Sequence, residues 1–325
     1  MRLFAGVDLG ATNVRVALSD HEGRIICRLA ERTVRDGEDG FVVTEQIRDM
    51  IKGALSSSGF GLSDLRAIGI GSIGPLDIRE GVVKRAANLP YEKIPLVVPL
   101  ADEFRVPVRL LNDCVSAVLG ETRFGMGKGV ENVVYVTLST GIGAGAVVDG
   151  HLLIGKDGNA HEVGHMVVDF EGRLTCGCGM RGHWEAYCGG KGIPQYARLL
   201  TSSIKGEEME HSQLAKRYGE GLSGISPEAL FEAAKLKDPL ALHVVSAIGE
   251  LNSMGFANIV SVYDPDLITV GGSIALNNQD LILEPIRGRV ASYTVNRPPE
   301  IAITPLGGDV GLYGAIAAAL EAADG

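Results

Sequence analysis

Cys176, Cys178 and His183 crowd into one short stretch, and His165 stands eleven residues before the first thiol. Two thiolates and two imidazoles complete a tetrahedral shell, the donor set that a closed structural zinc site needs. His161 competes with His183 for the fourth place, and Cys188 is a further candidate. Cys27 and Cys114 sit alone in apolar surroundings, so the five cysteines do not read as a disulfide framework. A second pattern is written twice: DLGATN, with Asp8, Gly10, Thr12 and Asn13, and STGIGAG, with Ser139, Thr140 and Gly141, each join two apolar strands through a polar turn. Glycine at a hairpin tip lets backbone N–H groups and a hydroxyl approach an anion, so two opposed tips can grip one polyphosphate. Asp8 ends an apolar strand, where a carboxylate is costly unless a metal or hydrogen bonds use it; that suits Mg²⁺ with a nucleotide. Neither turn is a Walker A loop or a dinucleotide fingerprint. The third pattern is LLND, which sets Asn112 and Asp113 at the carboxyl end of a strand where a helix begins. Ligands gather at such ends, but spacing alone favours reading Asp113 as a plain helix N-cap.

The elements that must position these groups follow from periodicity. Arg2 to Val7, Asn13 to Leu18 and EGRIICRLA form an antiparallel meander, and ENVVYVTLSTGIGAGAVVDGHLL repeats its hairpin. Helical spacing covers Phe41 to Ser56, Leu96 to Phe104, Asp113 to Phe124, much of Ile193 to Tyr263, and Val310 to Ala323. LRAIGIG, VPVRLLND, LITVGGS and EIAITPL read as strands, and GPLDIREGVVKRAANLPYEKIPL as loops. With 325 residues, 46% hydrophobic and 22% charged, the chain can bury a large core in two domains. A net charge of −10 without a basic run argues against nucleic-acid partners and acidic membranes. The start shows no signal-peptide pattern and no stretch of about 18 uncharged apolar residues occurs, so the expected location is cytoplasmic.

These segments resemble the sugar kinase, actin and Hsp70 superfamily. HEVGHMVVDFEGRLTCGCGMRGHWE is similar to the signature of the ROK family of sugar kinases and repressors, roughly Glu-x-Gly-His followed by Cys-x-Cys-Gly-x-x-Gly-Cys-x-Glu. Glu162, Gly164, His165, Cys176, Cys178, Gly179, Gly182 and Glu185 match it. His183 stands where the last cysteine is usual, and His161 where a small residue is common. The resemblance implies an α/β, two-lobed actin-like ATPase (ribonuclease H-like) fold with a duplicated βββαβα core and a cleft between the lobes. The expected lobes are residues 1–112, completed by a final helix over about 310–325, and residues 113–309 with the metal motif.

The resemblance also implies roles. Asp113 becomes the catalytic base and Asn112 a sugar ligand, joined by Gly74, Asn88, Glu162, His165 and Glu185; Gly271 and Gly272 meet adenosine. ATP with Mg²⁺ is the expected donor, Zn²⁺ the structural metal, and a homodimer the expected assembly. The acceptor is a hexose phosphorylated at its C6 hydroxyl, as in a glucokinase, with N-acetylmannosamine or N-acetylglucosamine as the alternative. Family members with glucose activity often carry Trp after the Leu-Pro of the Asn88 loop, where this chain has Tyr91. A sugar-responsive repressor is the remaining alternative; such proteins carry a helix-turn-helix segment ahead of the DLG motif, and seven residues precede Asp8 here.

Overall fold

The computed structural model describes residues 1–86, 88–202, 204 and 206–324. Strands β1 (Leu3–Leu9), β2 (Asn13–Ser19) and β3 (Ile25–Arg32) are followed by helix α1 (Phe41–Ser57) and β4 (Leu65–Ser72). Then come β5 (Leu76–Asp77), β6 (Val82–Lys84), β7 (Lys93–Pro95), α2 (Val97–Phe104), β8 (Val108–Asn112) and α3 (Asp113–Phe124). The second half has β9 (Val133–Leu138), β10 (Ile142–Val148), β11 (His151–Leu152), α4 (Glu185–Cys188), α5 (Ile193–Thr201), α6 (Glu207–His211), α7 (Gln213–Tyr218), α8 (Pro227–Lys235) and α9 (Pro239–Tyr263). It closes with β12 (Leu267–Gly271), α10 (Ser273–Asn277), α11 (Gln279–Arg289), β13 (Glu300–Ile303) and α12 (Val310–Asp324). Among the described residues two five-stranded sheets form, ordered β3-β2-β1-β4-β8 and β11-β10-β9-β12-β13, so the core is duplicated as the repeated hairpin predicts.

The chain divides into two compact units, one of residues 1–135, 145–161 and 304–325, the other of residues 136–144 and 162–303. Helix α3 therefore belongs with the first unit rather than beyond a boundary at Asn112. The physical reason is its contact with α12, where a Cβ on Gly120 would lie 2.7 Å from the Gly314 backbone nitrogen.

In the first unit, alternation along β1 sends side chains to two helical layers. Leu3, Ala5, Val7 and Leu9 pack with Ile47, Ile51 and other residues of α1, while Phe4 packs with Leu312, Ile316 and Leu320 of α12. Burial on both faces explains why β1 and β4 read as nearly continuous apolar runs. The α12 backbone comes so near β4 that a Cβ on Gly69 would sit 2.0 Å from the Ala315 carbonyl oxygen, so no larger residue fits. The segment read as loops holds a three-stranded sheet, β5-β6-β7. Its strands of two and three residues are too short to show a period of two.

In the second unit, α9 is the core. It is long and apolar enough to cross a membrane, yet 67% of that stretch is buried inside the fold. Asp238 caps it by accepting from Ala241 N at 3.1 Å, and also accepts from Leu214 N at 3.0 Å and Ser212 Oγ at 2.9 Å. Trp184 stacks edge-on against Phe256 and donates from Nε1 to Asn252 Oδ1 at 2.9 Å, which satisfies both buried polar atoms. This anchors the segment that carries the metal-type ligands.

Candidate active site and metal cluster

In the first unit, strand register brings the predicted residues to one edge. Leu9 pairs with Ser72 across β1 and β4, and Ser72 with Asn112 across β4 and β8. Gly10, Gly74 and Asp113 follow these residues closely in sequence, so all leave the same edge, at the carboxyl ends of parallel strands. The Gly10–Asn13 turn is closed by Gly10 N donating to Asn13 O at 2.9 Å. Thr33 braces it, donating from Oγ1 to Gly10 O at 2.7 Å and from its amide to Thr12 O at 3.0 Å. Thr12 and Asn13 are exposed at the tip.

Asp8 has a direct partner that sequence reasoning missed. Arg15 donates from Nε to Asp8 Oδ2 at 2.9 Å and from Nη2 to the same oxygen. The signal was available, because Asp8 and Arg15 are cross-strand partners once the hairpin register is set. Arg15 Nη1 also donates to Gly308 O at 2.7 Å.

Asn112, and not Asp113, is the N-cap of α3. Its Oδ1 accepts from Cys114 N at 2.9 Å and Val115 N at 3.4 Å, leaving the Nδ2 end of the amide beside Gly74. Asp113 is the first residue of the helix, half-buried, with Oδ1 accepting from Cys114 N at 2.7 Å. Asn88 is exposed, and its carbonyl accepts from Arg35 Nη2 at 2.7 Å. Tyr91 is core, not site: it is 5% exposed and its hydroxyl donates to Val34 O at 3.3 Å.

In the second unit, Ser139, Thr140 and Gly141 form the β9–β10 tip, closed by Ser139 N donating to Gly141 O at 3.0 Å. The Gly271–Gly272 turn ending β12 lies beside it: Gly272 has φ +86°, and a Cβ there would sit 2.4 Å from Leu138 O. Ser139 and Ser273 share a hydroxyl hydrogen bond at 3.1 Å. Glu185 presses on the tip, accepting from Ile142 N at 2.9 Å, and a Cβ on Gly141 would lie 2.4 Å from its Oε2. The stretch after α4 adds backbone bonds from Gly190 N to Ser139 O at 2.8 Å and from Lys191 N to Thr140 O at 3.3 Å.

Glu162 precedes a short helical turn, Val163–His165, whose His165 Nε2 lies 3.8 Å from Glu162 Oε2. Desolvation raises the Glu162 carboxyl pKa, opposed by His165 and reinforced by the Glu185 charge, although half of the side chain is exposed.

His165, Cys176, Cys178 and His183 bring one ligand atom each within 4.8 Å of one another. His165 Nδ1 lies 3.3 Å from His183 Nδ1 and 3.7 Å from Cys176 Sγ, and Cys178 Sγ lies 3.3 Å from His183 Nδ1. A tetrahedral zinc shell with ordinary Zn–N and Zn–S bonds spaces its donors about 3.3 to 3.8 Å apart, so these residues fit the ion in type and spacing. Burial pushes the Cys176 thiol up to about 11, so without a cation nearby it stays protonated at neutral pH. His161 is outside the group: its Nε2 meets Leu153 O at 2.9 Å, and burial lowers its pKa. Cys188 is also outside, its buried thiol donating to Ile248 O at 3.6 Å.

Two sheets of one strand order, each bearing a polar glycine tip, define the actin-like ATPase class. Within it the chain belongs to the ROK family, whose model matches residues 4–322. It is similar to a glucokinase of Pyrobaculum calidifontis, 38% identical over 99% of this chain and 96% of that protein. Among solved structures it is similar to a ROK family glucokinase of Streptomyces griseus, determined with glucose and AMPPNP. That likeness has 32% identity and a TM-score of 0.77, covering 98% of this chain and 99% of the other. A ROK hexokinase of Thermus thermophilus, 29% identical, matches with a TM-score of 0.81 over 99% of this chain and 100% of that one.

Proposed function

We propose that this protein is an ATP-dependent hexose kinase of glucokinase type, moving the terminal phosphoryl group of ATP to the C6 hydroxyl of glucose. Membership of the family and the glucokinase names of its relatives support the reaction class. The carrying observation is that Asn112 caps α3, while Asp113, which also accepts from Cys114 N, stands half-buried at the same strand edge that the Gly10 tip leaves. In this reading Asp113 accepts the proton of the attacking hydroxyl, the role of a general base in phosphoryl transfer. The Asn112 amide, Gly74, Asn88, Glu162, His165 and Glu185 bind sugar hydroxyls. The Gly10, Thr12, Asn13 tip and the Ser139, Thr140, Gly141 tip offer donors to the phosphates, with Gly271 and Gly272 under the adenosine. Arg15 fixes the Asp8 carboxylate near the phosphates.

Mg²⁺, near Asp8, would neutralise phosphate charge when bound with ATP. His165, Cys176, Cys178 and His183 would hold Zn²⁺ as a closed structural centre, with His165 using Nδ1 and leaving Nε2 for a sugar hydroxyl.

Coupled ADP-release assays with glucose, mannose, fructose, N-acetylglucosamine and N-acetylmannosamine test this. Glucose should be turned over fastest; turnover of an N-acetylated hexosamine alone moves the assignment to that substrate, and no ADP release with any sugar rejects the kinase. The family also supports a cytoplasmic homodimer, for which sedimentation equilibrium should return twice the chain mass; a monomer mass rejects it.

A further inference from the structure

Asn159 belongs to none of the motifs, yet its side chain is bound to the segment that carries Gly74. Its Oδ1 accepts from Leu76 N at 2.7 Å and its Nδ2 donates to Leu76 O at 2.8 Å. These partners fix the orientation of the amide, because one end faces an N–H and the other a carbonyl. Two such bonds to a single residue copy the exchange by which one strand residue grips another. The neighbours of Asn159 extend the docking. Ile78 N donates to Asp157 O at 3.3 Å, and a Cβ on Gly158 would lie 2.4 Å from Ile78 Cγ2.

Gly74 is flanked by two amides. A Cβ built on it would lie 3.5 Å from Asn159 Oδ1 and 3.7 Å from Asn112 Nδ2. One of these amides is held by the cap of α3 and the other by Leu76. The separation of Gly74 from Asn112, both taken above as sugar ligands, therefore depends on a side chain more than eighty residues further along the sequence.

We propose that Asn159 is a positioning residue for the hexose: it fixes Gly74–Leu76 against Asn112 and so shapes the wall that meets the sugar hydroxyls. This rests on the hexose kinase reading. Among the described residues the side-chain hydrogen bonds of Asn159 go to Leu76 and Asp157 and to neither phosphate tip, so its loss weakens sugar binding and leaves ATP binding alone.

The test uses the full chain and glucose as the probe. Kd for glucose is measured calorimetrically without nucleotide, and kcat and both KM values by ADP release, for the wild type, Asn159→Ala and Asn159→Asp. Loss of the bonded pair should raise Kd and KM for glucose about tenfold, the scale of one or two unmade hydrogen bonds, with KM for ATP unchanged. Asn159→Asp keeps the acceptor for Leu76 N but sets a second oxygen against Leu76 O, so it should move in the same direction. Should Asn159→Ala not fold, the similarly sized Asp variant carries the test. Glucose constants within twofold of wild type overturn the proposal, as does a parallel rise in KM for ATP, which marks a general loss of structure. A wild type that neither binds nor phosphorylates glucose removes the kinase reading, and this role with it; a working wild type with unaltered variants removes only this role.

Discussion

The two glycine tips share a sequence pattern but not a support. The Gly10–Asn13 turn is braced by Thr33, about twenty residues away, and by an ion pair between directly opposed strands. The Ser139–Gly141 turn is braced by Glu185 and by the backbone of Gly190 and Lys191, which follow directly on the cluster of thiols and imidazoles. One tip is held mainly by its own hairpin and the end of the strand next to it, with Arg15 also tied to the Gly308 carbonyl. The other depends on a remote segment that carries the possible metal ligands. Duplicating a turn therefore does not duplicate its vulnerability.

The largest expected effect lies outside this asymmetry and calibrates it. Asp113→Asn should lower kcat by about 10²- to 10⁴-fold, the usual worth of a positioned general base, with the melting temperature unchanged. Near-normal turnover would remove Asp113 from the reaction. Next, Cys178→Ser should take the metal content, read by native mass spectrometry, from one zinc per chain to a small fraction of that. It should also speed amide exchange at Ser139–Ile142 and Gly190–Lys191 while leaving Gly10–Asn13 alone. Equal loosening of both tips would erase the contrast.

A smaller effect tests the helical frame of the second unit. Burial alone would raise the Asp238 pKa, but bonds from Leu214 N, Ala241 N and Ser212 Oγ outweigh it and hold the group below its ordinary value of 3.8. A depressed carboxylate stabilises the fold above its unfolded pKa, and that contribution fades as pH falls through the depressed value. Asp238→Asn should cost about 1 to 2 kcal/mol in urea melts at pH 7 and progressively less below about pH 4. A cost that is constant with pH would exclude the charge. Smallest, Thr33→Val should cost about 0.5 to 1.5 kcal/mol and raise KM for ATP only a few-fold, since the hairpin keeps its backbone closure. Loss of nucleotide binding in that variant would show that the first tip is no sturdier than the second.

What could be read from sequence alone was local in origin. Both hairpins and the helices from α1 to α3 follow from short-range periodicity, and donor type pointed to His165, Cys176 and Cys178 while leaving His161 and His183 as rivals that only the geometry separates. Side-chain reach was not legible. Asn112 and Asp113 are adjacent and both cap helices well, so only the geometry assigns the cap to Asn112. Asn159 acts on a backbone far along the chain, which no spacing rule encodes. The β5-β6-β7 strands hid because two or three residues cannot display alternation.

The packing of α12 on β1 and β4 carries a consequence for how the protein is made. During synthesis Phe4 and Ala67 emerge early, but Leu312 and Ile316, which cover them, leave the ribosome more than two hundred residues later. At about 5 to 20 residues per second that is a wait of roughly 10 to 50 s, during which an apolar sheet face stands bare. A nascent chain of this design invites chaperone capture at its amino-terminal half until translation is almost done.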